Sequence, residues 1–146
     1  MSVKVKVKKL VPGAVLPKKA HASDAGFDLV AVSQKFEKRQ YVYGFGLAFE
    51  IPEGYVGLVF PRSSVYKKDL IMSNCVGVVD SGYRGEVTAR FNMAGRPDDA
   101  EGFPMYQVGE RVAQLVIMKL PDVDLEEAEE LGDSERGTGG YGSTGV

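Results

Sequence analysis

Apolar and polar positions alternate strictly in two stretches of the first half of the chain. Val3, Val5 and Val7 interleave with Lys4 and Lys6, and Phe45, Leu47, Phe49 and Ile51 with Gly46, Ala48 and Glu50. A period of two sends successive side chains to opposite faces of an extended backbone, so both stretches predict half-buried strands, the first over Met1 to Leu10. Short runs rich in valine and aromatic residues at Tyr55 to Phe60, Val76 to Val79, Val87 to Phe91 and Val112 to Ile117 predict four more, each bounded by Gly, Pro, Asn or Asp. Ser63 to Leu70 alone reads as a helix start, barely two turns long, with serines able to cap it. Many short strands with 18 glycines and 7 prolines predict an all-β fold, a barrel or a sandwich.

At 146 residues the chain fits one domain that buries a core without disulfide or structural metal. A net charge of -2 supplies no global basic field for nucleic acid or an anionic membrane, so neither is expected as a partner. The single cysteine, Cys75, has no intrachain partner for a disulfide, which fits a reducing compartment. With His21 and Cys75 the only soft ligands, a His/Cys zinc site within one chain is excluded by count. The opening lysine–valine alternation lacks the apolar core of a secretory signal, and no run approaches the roughly 18 apolar residues of a membrane span. A cytoplasmic location is therefore expected, or an organelle or nucleus if a targeting segment is removed.

Charge is unevenly spread. Met1 to Pro121 holds 17 bases and 12 acids, whereas Asp122 to Glu135 holds eight acids and no base, the pattern of a solvated face or linker. Beyond it, half of Arg136 to Gly145 is glycine, too little apolar surface to fold alone. The division expected is a β domain over 1–134 and a flexible arm over 135–146. The G-T-G-G-Y-G run in the arm has the spacing of a dinucleotide fingerprint but opens no helix in a βαβ unit, and no Lys-Ser or Lys-Thr follows as in a Walker loop. Its Arg, aromatic ring, hydroxyls and bare amides suit closure over an anion and a flat ring, or simply a free end.

Pro61-Arg62-Ser63-Ser64 ends one strand and opens the short helix, where free amides, two hydroxyls and a guanidinium would make either a phosphate cradle or a plain helix cap. Gly77 to Glu86 places Asp80 after an apolar strand and before the next, which predicts a β-hairpin. Its exposed backbone could read a base edge and Tyr83 could support a sugar, with Asp80 free to orient or deprotonate a water. The acids Asp24 and Asp28 suit caps, edge charges or an outer metal shell. Arg111 and Gln114, at odd spacing on one strand, are expected to face opposite sides.

Ala25-Gly-Phe-Asp-Leu29, Pro61-Arg-Ser-Ser64, Gly77-Val-Val-Asp-Ser-Gly-Tyr-Arg-Gly85, Arg111-Val-Ala-Gln-Leu115 and the glycine-rich end, in this order, make the chain resemble the trimeric dUTPases. The resemblance implies a jelly-roll-like β-barrel, a homotrimer with active sites shared between subunits, and hydrolysis of dUTP to dUMP and pyrophosphate, which limits uracil in DNA and supplies dUMP for dTMP synthesis. It implies that Asp80 activates the water that attacks the α-phosphorus, and that Mg2+ rides on the triphosphate with Asp28 reaching its water shell. By the same resemblance Arg62, Ser63, Ser64 and Gln114 contact phosphates, and Arg136 grips the γ-phosphate. Asn74, Gly77, Val79 and Thr88 present polar groups to uracil, Tyr83 lies under the sugar, and Tyr141 stacks on the base with Gly142 beside it. Arg111 is assigned to subunit contacts or arm anchoring. Gly82 stands where many members carry a second acid, Phe27 replaces a common Tyr and Tyr141 a common Phe. The alternatives are a dCTP deaminase of the same fold, whose members are usually longer with a D-P-G-W type hairpin, and a non-catalytic dUTP-binding regulator.

Overall fold

The computed structural model describes residues 2–94 and 105–145; Met1, at the start of the expected first strand, and Val146, at the end of the expected arm, lie outside the described residues. Among the described residues ten strands form: β1 (Lys6–Lys9), β2 (Phe27–Val30), β3 (Ser33–Glu37), β4 (Gln40–Gly44), β5 (Leu47–Glu50), β6 (Tyr55–Pro61), β7 (Leu70–Met72), β8 (Gly77–Val79), β9 (Thr88–Met93) and β10 (Arg111–Lys119). One 3-10 helix, Ser63–Lys68, interrupts them. The strands pair as β1-β5, as β2-β10-β6-β8 and as β3-β4-β9-β7, antiparallel throughout. Leu29, Val59, Val79, Ala113 and Leu115 from one four-stranded sheet share a core with Tyr43, Ala89, Phe91, Leu70 and Met72 from the other. The all-β expectation holds.

Several boundaries differ from the sequence reading for physical reasons. Of the expected Met1–Leu10 strand only Lys6–Lys9 pairs, along β5, where Lys6 Nζ reaches Glu50 Oε1 at 2.9 Å. The expected strand from Phe45 begins at Leu47, because Gly46 turns the chain at φ 61°; Ala48 is buried along with its apolar neighbours, so the alternation is not a simple in/out pattern. The β3–β4 hairpin carried no turn signal, since Lys38 and Arg39 take the positive-φ positions (51° and 66°) that Asn-Gly usually marks. The residues from Gly77 to Val87 do not form a hairpin: β8 pairs with β6, whereas β9 pairs with β4 and β7, so the segment bridges two sheets. The helix is capped by Arg62 with no side-chain cap bond, so neither serine caps it, and it ends at Asp69 in the left-handed region.

Gly57 on β6 shows how tightly the core closes: a Cβ there would lie 2.8 Å from Ile51 Cδ1, 3.2 Å from Leu115 Cδ1 and 3.3 Å from Val79 Cβ. Gly57→Ala is expected to cost about 1–3 kcal/mol by overpacking, read from urea denaturation; an unchanged midpoint would mean that the core yields there.

Candidate active site

Most of the predicted site residues fall into two open clefts that share no lining residue. The first, about 200 Å³, is lined by Asn74, Gly77, Val79, Asp80, Tyr83 and Thr88, together with Val59, Val78, Glu86 and Val87. It exists because β8 and β9 leave for different sheets and the chain between them must span the gap. β8 is the edge of its sheet, bonded to β6 on one side only, so N–H and C=O groups on its other side are left for a ligand. Gly77 keeps that backbone approachable, since a Cβ would stand 3.2 Å from Val59 Cβ and 3.6 Å from Asn74 Nδ2.

The bridging segment is fixed by hydrogen bonds. Tyr83 N–H donates to Asp80 O at 3.1 Å, and the Tyr83 hydroxyl donates to Glu86 O at 3.0 Å, which folds the ring over Gly85. Any Cβ at Gly85 would meet Tyr83 Cζ at 2.7 Å, so the ring and the glycine require each other. Glu86 accepts the Gly46 N–H at 2.8 Å and ties the segment to the start of β5. The Asp80 carboxylate, by contrast, is exposed and enters no hydrogen bond or ion pair among the described residues. A fixed backbone thus carries a free base.

The second cleft, about 340 Å³, is lined by Asp24, Gly26, Asp28, Arg62, Ser63, Arg111 and Gln114, with Ala20 and Ala25. Arg111 and Gln114 do not face opposite sides as their spacing suggested. The register of β10 against β2 shifts between Arg111 and Ala113, and this irregularity turns both side chains toward the cleft. Asp28 holds two cations: Oδ1 lies 3.2 Å from Arg62 Nε and Oδ2 lies 3.2 Å from Arg111 Nη1. Arg62 Nη1 also donates to Arg111 O and to Ser64 Oγ, each at 3.4 Å. Gln114 Nε2 donates to Pro61 O at 3.2 Å. Two guanidiniums and the Ser63 hydroxyl on one wall give the donors that bind phosphate oxygens, while Asp24 and Asp28 balance their charge. Asp24, on the same wall, is turned to the His21 N–H at 2.8 Å.

Among the described residues no group of three or more His, Cys, Asp or Glu side chains could hold a metal ion. The donor the second cleft offers a hard cation is carboxylate oxygen, which suits the water shell of Mg2+. Asp28 retains lone pairs beyond the two its arginines use, which is the capacity an outer-shell contact needs.

Ser64 lines neither cleft; it sits behind Arg62. Arg136, Tyr141 and Gly142 also line neither. Among the described residues their segment makes only local bonds, Arg136 Nε donating to Gly139 O at 2.9 Å and Gly137 N–H to Ser134, and Tyr141 is fully exposed at φ 52°. The linker before it is equally unattached, with Leu125 95% and Leu131 89% exposed.

Behind the Arg62 turn lies a cluster the sequence did not announce. Lys68 Nζ pairs with Glu110 Oε1 at 3.1 Å and stands 4.9 Å above the Tyr106 ring. The Gln107 N–H and Lys68 hold the Glu110 carboxyl below its ordinary value. Tyr43 donates to Tyr106 O at 3.1 Å while burial pushes its own pKa up to about 12. Neither Tyr106 nor Glu86 follows a recognisable motif spacing, and only their places in the fold bring them to the site.

Residues 13–145 match the family model described as dUTPase. The chain is 42% identical over 145 residues to the deoxyuridine 5'-triphosphate nucleotidohydrolase of Corynebacterium glutamicum, covering 97% of this chain and 94% of that one. It is 39% identical over 147 residues to the enzyme of that name from Clostridium acetobutylicum, covering 99% and 98%. Among solved structures it is similar to a variant of the Staphylococcus bacteriophage 80alpha dUTPase with dUpNHpp, at 30% identity and TM-score 0.83 over 98% of this chain and 99% of that one. A dUTPase variant from phage phi11 of S. aureus, described with a structural Mg(II) ion, matches at 26% identity and TM-score 0.74 over 89% and 99%.

Gly26 lets the second cleft close, because a Cβ there would overlap Gln114 Oε1. Gly26→Ala is expected to weaken binding of inorganic triphosphate by about 10-fold, the worth of one hydrogen bond to a charged group, with the melting temperature unchanged. Unchanged binding in a calorimetric titration would remove Gln114 from the phosphate site.

Proposed function

The chain belongs to the dUTPase family and is a dUTP diphosphatase, and from that premise we propose how its residues share the reaction. The observation that carries the proposal is the separation of two half-sites: a nucleoside-sized cleft with an unpaired carboxylate, and an arginine-lined cleft held by Asp28, with no residue in common. One dUTP molecule must meet both kinds of surface at once. A homotrimer in which one subunit's cleft faces another's, with the arm of a further copy closing over them, satisfies that requirement.

In this reading uracil lies along the open edge of β8, where Asn74, Gly77, Val79 and Thr88 meet its polar rim. Cytosine exchanges donor and acceptor at both N3 and the 4-position and leaves buried polar groups unpaired, which discriminates strongly. The Tyr83 ring, fixed by its bond to Glu86 O, packs under the deoxyribose and leaves no room for a 2'-hydroxyl. Asp80, with no internal partner, accepts a hydrogen bond from water and takes its proton as the oxygen attacks the α-phosphorus. The bond from that phosphorus to the bridging oxygen breaks, giving dUMP and pyrophosphate.

Arg62, Ser63 and Gln114 hold the phosphate chain in line for the attack, and Arg136 brings the arm onto its far end. Ser64 acts through Arg62. Asp28 would hold the water shell of a magnesium ion carried on the triphosphate, whose chemistry is to reduce the charge repulsion between nucleophile and phosphate. Tyr141 keeps the ring needed to stack on the base. Gly142, at φ 82°, turns the arm behind it.

Pyrophosphate and monophosphate release is the test, run with dUTP, dCTP, dTTP and UTP in turn, and turnover is expected with dUTP alone. In the same assay Asp80→Asn should lower kcat by about 10²-fold or more, the worth of a general base, while dUpNHpp binding stays within a few-fold; unchanged kcat removes Asp80 from the chemistry. A chain ending at Glu135 is expected to lose turnover and keep its trimer by light scattering. If that truncate dissociates, the arm holds the assembly instead of the substrate.

A further inference from the structure

Tyr106 is 2% exposed, yet its hydroxyl has no hydrogen-bond partner among the described residues. Leaving a buried hydroxyl unpaired costs free energy that a phenylalanine would avoid. Packing gives no reason for the oxygen: the ring already stands edge-on to Tyr43 at 5.9 Å and to Phe91 at 6.1 Å, and lies under Lys68. The polar groups that bear on the hydroxyl are the Ser64 side chain first, then the Arg62 guanidinium, both at the turn after β6, and the Glu110 carboxylate at the turn before β10. Burial pushes its pKa up, so it remains a neutral donor at working pH.

Ser64 Oγ has two acceptor positions and one proton. Arg62 Nη1 occupies one acceptor position from 3.4 Å, a long and therefore adjustable bond. The second is open. We propose that Tyr106 is a positioning residue for phosphate binding: its hydroxyl donates to Ser64 Oγ when substrate draws the turn inward, and the serine, held from below, locks the Arg62 guanidinium. Arg62 is then fixed on three sides, by Asp28, by Arg111 O and by the Ser64–Tyr106 pair. With both acceptor positions filled, the Ser64 proton is turned away from the core.

The inference rests on the reading that Arg62 binds the phosphate chain, and the experiment separates the two. Steady-state kinetics with dUTP and thermal melting are measured for Tyr106→Phe, Ser64→Ala, the double variant and Arg62→Ala, with active sites counted by dUpNHpp binding. Tyr106→Phe is expected to lower kcat/KM by about 5–10-fold, the worth of one hydrogen bond, with Tm unchanged or raised. Adding it to Ser64→Ala should cost nothing further. Unchanged kcat/KM in Tyr106→Phe, or the same loss with and without Ser64, overturns the positioning role. A lowered Tm with full activity per site overturns it as well and leaves only packing. If Arg62→Ala keeps normal kcat/KM, the phosphate-cleft reading fails on its own account.

Discussion

The Asp28 carboxylate between Arg62 and Arg111 is the interaction on which the arginine-lined cleft depends. Asp28 is on β2, Arg111 begins β10 and Arg62 follows β6, and these are three successive neighbours in one sheet. Two guanidiniums brought to one sheet end would repel each other. A carboxylate giving one oxygen to each, at 3.2 Å and four-fifths shielded from solvent, replaces repulsion by attraction where screening is weak. The same contact makes the arginines rigid, so little side-chain entropy remains to be lost when a phosphate arrives. Structure and recognition therefore use one set of charges.

The nucleoside cleft solves a different problem by different means. Discriminating bases requires donors and acceptors that stay in place, and an edge strand supplies them from the backbone, where no rotamer can undo the pattern. β8 can remain an unpaired edge because it is only three residues long and because the segment after it folds across to the second sheet. The bonds of Tyr83 to Glu86 O and of Glu86 to Gly46 N–H hold that segment without using Asp80. In the arrangement proposed, the group that takes the proton is left unpaired while the backbone that carries it is held.

Much of this was legible in the sequence, and what was missed has physical reasons. The longer strands β6 and β10 follow from their valine and aromatic runs, and Asp80, Arg62 and Gln114, singled out by motif order, line the two clefts. β3 and β4 were missed because their turn uses Lys38 and Arg39 at positive φ, and β7 because three residues carry no period. The placing of Arg111 failed because the register shift in β10 breaks the alternation from which it was read. The hairpin expected over 77–87 failed for a more general reason: sequence neighbours show that the chain turns, but not which sheet each strand then joins. Tyr106 carried no signal at all, since its meaning lies in the turn above it.

The separation of the two clefts also explains why the arm is glycine-rich and unattached. Ordering a residue costs about 1–2 kcal/mol of backbone entropy, most for glycine. A segment of this composition cannot hold itself closed with the few local bonds it makes from Arg136 to Gly145. Closure must draw on contacts that exist only when a nucleotide is present: Arg136 to phosphate and Tyr141 to the base, in the arrangement proposed above. An arm with a stable fold of its own would occupy one position with or without substrate and would slow either entry or release. In the arrangement proposed, poor intrinsic order joined to two residues that recognise opposite ends of one ligand would make closure conditional on a molecule carrying both a flat base and a chain of phosphates.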